Sequence, residues 1–90
     1  MKITYDPEKR AWTLRYRELD FKDAQQVFAG ATLTVADDRL DYGEPRFQTL
    51  GILHDRLTMV VWTPREEARH LISMRRASAR ERKKYQAQMG

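Results

Sequence analysis

The residues best suited to chemistry are the arginines, lysines, histidine and tyrosine of the C-terminal third. Residues 65–90 hold eight of the 17 Lys and Arg residues and three of the 13 Asp and Glu residues, a net charge of +5. Residues 1–64 hold nine basic and ten acidic residues, a net charge of −1. Basic groups concentrated in one segment are typical of a surface that binds a polyanion, most often a nucleic acid.

The same segment has groups that could bind a phosphate and move a proton. RNA cleavage needs those two tasks, because the 2′-hydroxyl of the substrate is itself the nucleophile. Arginine suits the first task, since its planar guanidinium forms two parallel hydrogen bonds and keeps its proton. Taken alone, Lys83 and Lys84 fit a solvated helix face better than a binding role. The candidates are Arg46, Arg69, Arg75, Arg76, Lys83 and Lys84 for phosphate binding, with His70 and Tyr85 for proton transfer.

Two interpretations of His70 stay open. Strand alternation places His70 on one face with Ile72 and Met74, which look like core residues, and Arg75 on the other face. His70 is then either a hydrogen-bonded structural residue or a proton carrier. It suits proton transfer near pH 7 better than Tyr85 does, because the ordinary pKa is about 6.5 for histidine and about 10 for tyrosine.

The composition disfavours several classes of protein. The chain has no cysteine and two histidines without metal-ligand spacing, so we expect neither a metal site nor a cofactor. The longest apolar run, Met59–Trp62, is too short to cross a bilayer, and Met1–Asp6 lacks the apolar run of a signal peptide. We therefore expect one cytoplasmic domain, residues 1–90, that does not contact a membrane.

Three helices are predicted to position these residues. Asp6-Pro7 is typical of a helix start, with aspartate as the N-cap and proline in the first turn. A second helix begins at Asp20 and ends at Gly30 in the usual C′ position. The third begins at Ser78, because Ser78 and Glu81 have the spacing of a capping box. The apolar positions are Trp12, Tyr16 and Leu19 on one face of the first helix, Ala24, Val27 and Phe28 in the second, and Tyr85 and Met89 in the third.

Five strands complete the pattern. Residues 57–63 are apolar on both faces, which indicates a central strand. Residues 37–45 form a loop by composition, and residues 54–56 form a tight turn. The order β-α-α-β-β-β-β-α predicts an α+β domain with a small antiparallel sheet and its helices on one side. The predicted strands are residues 2–5, 31–35, 46–53, 57–63 and 68–75.

Motifs along nearly the whole chain match one known family. Tyr-Asp-Pro opens the first helix, Glu-Pro-Arg-Phe-Gln-Thr-Leu-Gly spans Glu44–Gly51, and Val-Val-Trp-Thr ends a strand at Thr63. The most specific motif is His-Leu-Ile-Ser-Met-Arg-Arg-Ala, which starts at His70 and is followed by Glu81 and Tyr85. On these residues the chain resembles the BrnT toxins of type II toxin–antitoxin systems, small ribonucleases with a RelE-like fold.

The resemblance implies an endoribonuclease toxin that works without a metal ion, inhibits translation and growth, and is neutralised by a cognate antitoxin. It further implies a BrnA-like ribbon-helix-helix antitoxin in a heterotetramer, with operator DNA bound only through the antitoxin. Arg46, Arg75, Glu81 and Tyr85 fall on motif positions of the family. Glu81 is also explained by its capping-box role alone.

Two departures from the family pattern bear on activity. The first helix ends in Tyr16-Arg17-Glu18, where the family usually has Lys-His-Gly, and His70 replaces an arginine, with Arg69 one position earlier. Both departures affect positions suited to proton transfer, so the alternative is a catalytically degenerate module that only binds RNA or antitoxin. The expected roles are phosphate binding by Arg75 and Arg46, binding of flanking phosphates by Arg69 and Arg76, and proton transfer by His70 or Tyr85.

Overall fold

A mixed sheet is the framework of the computed structural model, which describes residues 1–89. Its strands are β1 (Lys2–Tyr5), β2 (Leu33–Ala36), β3 (Phe47–Leu53), β4 (Arg56–Arg65) and β5 (Ala68–Arg76). The strand order is β1-β5-β4-β3-β2, so the predicted central position of β4 is confirmed. The α+β class is also confirmed, but the purely antiparallel sheet is wrong, because β1 pairs with β5 in parallel. The helices after β1 carry the chain to the opposite edge of the sheet.

Within residues 1–89 the α-helices are α1 (Pro7–Arg17), α2 (Ala24–Ala29) and α3 (Ala79–Met89). The N-cap prediction for α1 is confirmed, since the Asp6 carboxylate accepts a hydrogen bond from the Glu8 amide at 2.9 Å. Asp20 accepts one from the Lys22 amide, but it caps a short 3₁₀ turn that precedes α2. Gly30 follows α2 in an extended conformation with φ −96°, so it does not act as a left-handed C′ residue.

Helices lie against both faces of the sheet, and the prediction that they lie on one side is wrong. The cause is β4, whose residues point alternately to the two sides and are apolar on both. Val60 packs into a core with α2, whereas Met59 and Val61 pack into a second core with α3. We call these two sides the α2 face and the α3 face. The buried residues of the α2 core are Leu19, Phe21, Ala24, Val27, Leu53, Val60, Leu71 and Met74.

A β-bulge interrupts β5 at Ile72. Val61 pairs with Ser73 and the next residue of β4, Trp62, pairs with Leu71, so Ile72 is left without a partner. The extra residue reverses the alternation of β5 at that point. Leu71 and Met74 consequently share the α2 core, while Ile72 packs against the α3 core. The prediction that Ile72 and Met74 share a face is therefore wrong.

The helix α1 lies along the part of β5 that β1 leaves unpaired, because β1 pairs only with residues 68–71. Thr13 is the buried residue of this helix. Trp12 and Tyr16 are instead 50% and 63% exposed. Leu19 is buried, but it lies beyond the end of α1. Trp12, Tyr16 and Leu19 thus do not form one packed helical face.

Candidate active site

Three polar side chains lie in a row on the α3 face of β5, namely His70, Ser73 and Arg75. Their partners on β4 are Thr63, Val61 and Met59, and the last two belong to the α3 core. The bulge at Ile72 places His70 on this face, since regular alternation would have placed it opposite Arg75. All three side chains are partly exposed. The α3 face is therefore the candidate active site.

Arg75 is held by a carboxylate from the first turn of α3. Its Nη1 and Nη2 atoms donate to Oε1 and Oε2 of Glu81 at 2.7 and 2.8 Å, a bidentate ion pair. Glu81 Oε1 also accepts from the Ser78 amide at 2.9 Å, and Ser78 Oγ accepts from the Glu81 amide at 3.2 Å. The predicted capping box is thereby confirmed, and the same carboxylate orients an arginine whose side chain is 39% exposed.

Electrostatics keep both members of this pair charged. The hydrogen bonds from Arg75 lower the pKa of Glu81 to about 2, and those to Glu81 raise the pKa of Arg75. A carboxylate this acidic is a weak general base at neutral pH, because efficient proton transfer needs a pKa near the operating pH. Glu81 therefore positions Arg75, and proton transfer needs another group.

His70 lies at the other end of the row, and its pKa is lowered, which favours the neutral imidazole. Partial burial is the largest cause lowering its pKa below the ordinary value, and the positive charge of Arg65 is the next. Its Nδ1 atom shares a hydrogen bond of 2.8 Å with Thr4 Oγ1, and within residues 1–89 its Nε2 atom has no hydrogen-bond partner. The β4 partners of His70 and Arg75 are four residues apart, or about 13 Å.

Two of the predicted phosphate ligands, Arg69 and Arg76, have side chains that are engaged away from Arg75, and Arg46 contacts an aromatic ring. The Arg69 Cζ atom is 4.1 Å from the Phe28 ring centroid, in a cation–π contact within the α2 face. Arg76 donates to the Leu53 carbonyl oxygen at 2.8 Å, and burial lowers its pKa. The Arg46 Cζ atom lies 3.9 Å from the centroid of the Tyr42 ring. The side chains of Arg69 and Arg76 are therefore held away from Arg75, whereas phosphate binding by Arg46 stays a prediction.

On α3 the candidates Lys83, Lys84 and Tyr85 differ in their surroundings. Both lysines are exposed, and Lys84 also lines a small cavity together with Glu81, between α3 and the sheet. The Tyr85 hydroxyl donates to the Ala31 carbonyl oxygen at 2.8 Å, which attaches α3 to the chain just before β2. Lys84 is thus close to the Arg75–Glu81 pair, and Tyr85 acts as a docking residue of α3.

Arg39 is a basic residue of the site that sequence reasoning missed. It forms a bidentate ion pair with Asp37 at 2.7 and 2.8 Å, and this pair lowers the pKa of the buried Asp37 carboxyl. Its positive charge also acts to lower the pKa of Arg75, against the larger opposite effect of Glu81. The one sequence feature that points to this pair is its Asp-x-Arg spacing. It lies within residues 37–45, which composition predicts only to be a loop.

Within residues 1–89 no group of three or more His, Cys, Asp or Glu side chains is arranged to hold a metal ion. Across the same range, every helix is too short or too polar to cross a membrane.

Comparison with known proteins identifies the family. A family model described as the ribonuclease toxin BrnT of type II toxin–antitoxin systems matches residues 5–81. The match includes Arg75 and Glu81, whereas Lys84 and Tyr85 lie beyond it. No curated protein matches the chain. Because the matched residues are most of the sequence, the chain belongs to the BrnT family of ribonuclease toxins of type II toxin–antitoxin systems.

Proposed function

We propose that this ribonuclease toxin cleaves RNA on the α3 face without a metal ion, and that Arg75 binds the scissile phosphate. The observation that carries the proposal is the bidentate pair of Arg75 with Glu81 on a partly exposed strand face. Charged residues inside a sheet are costly unless they are paired, and this one is paired in a way that leaves its outer edge accessible. We also propose that residues 1–90 form a single domain of the RelE-like type.

The free edge of the guanidinium suits a phosphate. Glu81 accepts from Nη1 and Nη2, and within residues 1–89 the Nε atom of Arg75 has no hydrogen-bond partner. Nε and the second hydrogen of Nη2 lie on one edge, so they can donate together to two phosphate oxygens. Lys84, which lines a cavity together with Glu81, and Arg39, whose charge acts on Arg75, add positive charge to this region. A preorganised cation of this kind stabilises the negative charge that develops on the phosphate in the transition state.

Proton transfer is assigned to His70 in this proposal. Ser73 lies between His70 and Arg75 on the α3 face, so a nucleotide over Ser73 could reach both side chains. His70 Nε2 would take the proton of the 2′-hydroxyl while the 2′-oxygen attacks phosphorus and the bond to the 5′-oxygen breaks, and the departing 5′-oxygen would take a proton from water. The products would be a 2′,3′-cyclic phosphate and a 5′-hydroxyl end. A neutral imidazole has the protonation state that a general base needs at pH 7.

The antitoxin completes the proposed system. Membership of a type II toxin family implies a protein antitoxin. We propose that this partner is a BrnA-like ribbon-helix-helix protein, that the complex is a heterotetramer in the cytoplasm, and that operator DNA is contacted only through the antitoxin. The net charge of +5 over residues 65–90 favours an acidic binding segment in that partner.

A second candidate function is binding without catalysis. Tyr16-Arg17-Glu18 stands where the family usually has Lys-His-Gly, and the pKa of Glu81 at about 2 leaves no efficient base beside Arg75. Under this alternative the α3 face would hold RNA or antitoxin and release it unchanged.

Growth and RNA cleavage distinguish the two functions. Expression of the chain alone should arrest growth, with rescue by the antitoxin, and the purified protein should cleave RNA in the presence of EDTA. Arg75→Ala should lower the cleavage rate roughly 10²- to 10³-fold. Arg80→Ala is the matched control, because it removes an exposed arginine of α3. Unimpaired growth at verified expression, or equal rates for the two variants, would contradict the proposal.

A further inference from the structure

The exposed side of α1 carries two aromatic rings in contact. The ring centroids of Trp12 and Tyr16 are 5.3 Å apart, and the residues are 50% and 63% exposed. Each ring has an arginine beside it, with Arg17 Cζ 5.0 Å from the Trp12 centroid and Arg15 Cζ 5.5 Å from the Tyr16 centroid. Core packing does not explain two exposed rings that are both flanked by cations.

Trp12 also lines a cavity that shares Ser73 with the candidate active site. The cavity measures about 250 Å³. Two of its walls come from β5, where Ile72 packs on the α3 core and Ser73 pairs with Val61 of that core. Arg75 is two positions from Ser73 on the same face, or about 7 Å along the strand. The lining residues are Lys9, Trp12, Thr13, Arg17, Ile72 and Ser73.

The orientation of Trp12 is set by neighbours that are themselves anchored. The Arg17 guanidinium donates to the Met74 carbonyl oxygen at 3.0 Å, on the edge of β5 that β1 leaves free. Thr13, on the next position of α1, is buried against the sheet. The aromatic pair is therefore presented on a rigid support, which lowers the entropic cost of binding a ligand.

We propose that Trp12 and Tyr16 form a stacking site for an unpaired base of RNA, next to the phosphate bound by Arg75. This inference rests on the proposed function and adds the substrate class, which is single-stranded RNA. Every base offers a flat π face, so an aromatic platform holds a single strand with little dependence on sequence. Base-paired RNA has its bases stacked on each other and cannot use the site without opening.

The charges of α1 favour RNA over a protein as the occupant. Pro7–Arg17 contains four basic residues and one acidic residue, Glu8. Of the four, Arg10 is neutralised by an ion pair with Asp20. Lys9, Arg15 and Arg17 remain close to the rings, where they can neutralise the phosphates that flank a stacked base. A protein partner held by apolar contact would not need these cations.

The test compares two oligomers that this protein cannot cleave. One is a 2′-O-methyl RNA, and the other is an abasic oligonucleotide of the same length and charge. Trp12→Ala should raise the Kd for the 2′-O-methyl RNA roughly 5- to 100-fold and leave the Kd for the abasic oligomer unchanged. Trp12→Phe should keep most of the affinity, because it keeps an aromatic face. Leu14→Ala is the matched control, since Leu14 is exposed on α1 and is not a lining residue of the cavity.

Several results would overturn the stacking site. They are an unchanged Kd for Trp12→Ala, an equal loss with both oligomers, or a loss of antitoxin binding without a loss of RNA binding. The last result would make α1 a protein interface. If cleavage requires Arg75 while Trp12→Ala binds the 2′-O-methyl RNA with the parent's Kd, the stacking site is contradicted and the proposed function is supported. If RNA binds through Trp12 but is never cleaved, the stacking site is supported and the proposed function is contradicted.

Discussion

His70 and Arg75 lie on the same face of the sheet although five positions separate them in one strand. Regular alternation over an odd separation would place them on opposite faces. The bulge at Ile72 adds one residue to β5 relative to β4 and so brings the imidazole to the arginine's side. Bulges are frequent beside active sites for this reason, since they redirect a side chain without ending the strand.

His70→Gln tests whether this placement serves proton transfer. We expect cleavage to slow by about 10²- to 10⁴-fold, with loss of the acidic limb of the pH–rate profile, because glutamine keeps the polarity but does not titrate. The control is His54→Asn, since His54 is exposed in the β3–β4 turn and its left-handed φ of 52° suits asparagine. A parent-like rate and pH profile for His70→Gln would make His70 a structural residue.

The stability of the parent protein should depend on pH through His70, and His70→Gln should reduce this dependence. Burial lowers the pKa of His70 in the folded state, so the folded protein binds fewer protons than the unfolded chain just below pH 6.5. Stability is therefore full above pH 6.5 and declines as the pH falls through the folded-state pKa. Urea unfolding of His70→Gln should show a smaller decline across this window than the parent does. An equal decline would assign the effect to other groups.

Glu81→Gln should weaken the positioning of Arg75. We expect a loss on the order of 1–2 kcal/mol in the free energy of unfolding at pH 7, a figure kept low because Arg75 is partly exposed and solvent screens the pair. The parent should lose this stabilisation as the pH falls from 4.5 towards 2, because Glu81 has its pKa lowered to about 2. Urea unfolding at pH 7 and pH 3 checks this, and a difference that stays constant with pH would contradict it.

Lys84→Ala and Arg69→Ala should separate RNA binding from structure. Loss of one phosphate contact should reduce the slope of log Kd against log salt by about 0.7 for a single strand, and we expect this for Lys84. Arg69 packs on Phe28 and Trp62, so its loss should lower the free energy of unfolding by about 1 kcal/mol and leave the salt slope unchanged. The reverse pattern in binding titrations would place the RNA on the α2 face.

Gly51→Ala should destabilise the fold, because the chain approaches α2 too closely for a side chain. A Cβ atom at Gly51 would lie 2.8 Å from Val27 Cγ1 and 3.1 Å from the Val27 carbonyl oxygen. We expect a loss of about 1–3 kcal/mol in the free energy of unfolding. Gly30→Ala is the control, since its nearest contact would be at 3.9 Å. Equal stability of the two variants in urea would show that α2 can move away.

Much of the fold could be predicted from the sequence, because its signals are local. The Asp6-Pro7 start, the Ser78–Glu81 capping box and the doubly apolar strand β4 each depend on a few neighbouring residues, and each is confirmed. The parallel pairing of β1 with β5 depends instead on how distant segments meet. The sequence of a four-residue strand does not show whether its partner strand runs parallel or antiparallel to it.

The candidate site could be predicted only in part. Arg75 was identified from the sequence, but the faces of β5 were not, because a bulge is set by the pairing of β4 with β5 and leaves the apolar pattern unchanged. Arg39 was missed because its link to Asp37 lies in a loop without periodicity. The rings of α1 were interpreted as one packed face, since i, i+4 spacing alone cannot tell a core contact from a ligand contact.

Because α3 packs shallowly against the sheet, the orientation of Arg75 by Glu81 should depend on temperature. No residue of α3 is buried, and the side-chain hydrogen bonds that link α3 to the rest of the fold include the one from Tyr85 to the chain before β2 and the two of the Arg75–Glu81 pair. Helices of this kind open locally at a lower free energy than the strands of a core. Every such opening withdraws Glu81 and leaves Arg75 unoriented while the sheet stays folded. The rate of RNA cleavage should therefore fall at temperatures where the sheet is still folded. The amide hydrogens of α3 should also exchange well before those of β4.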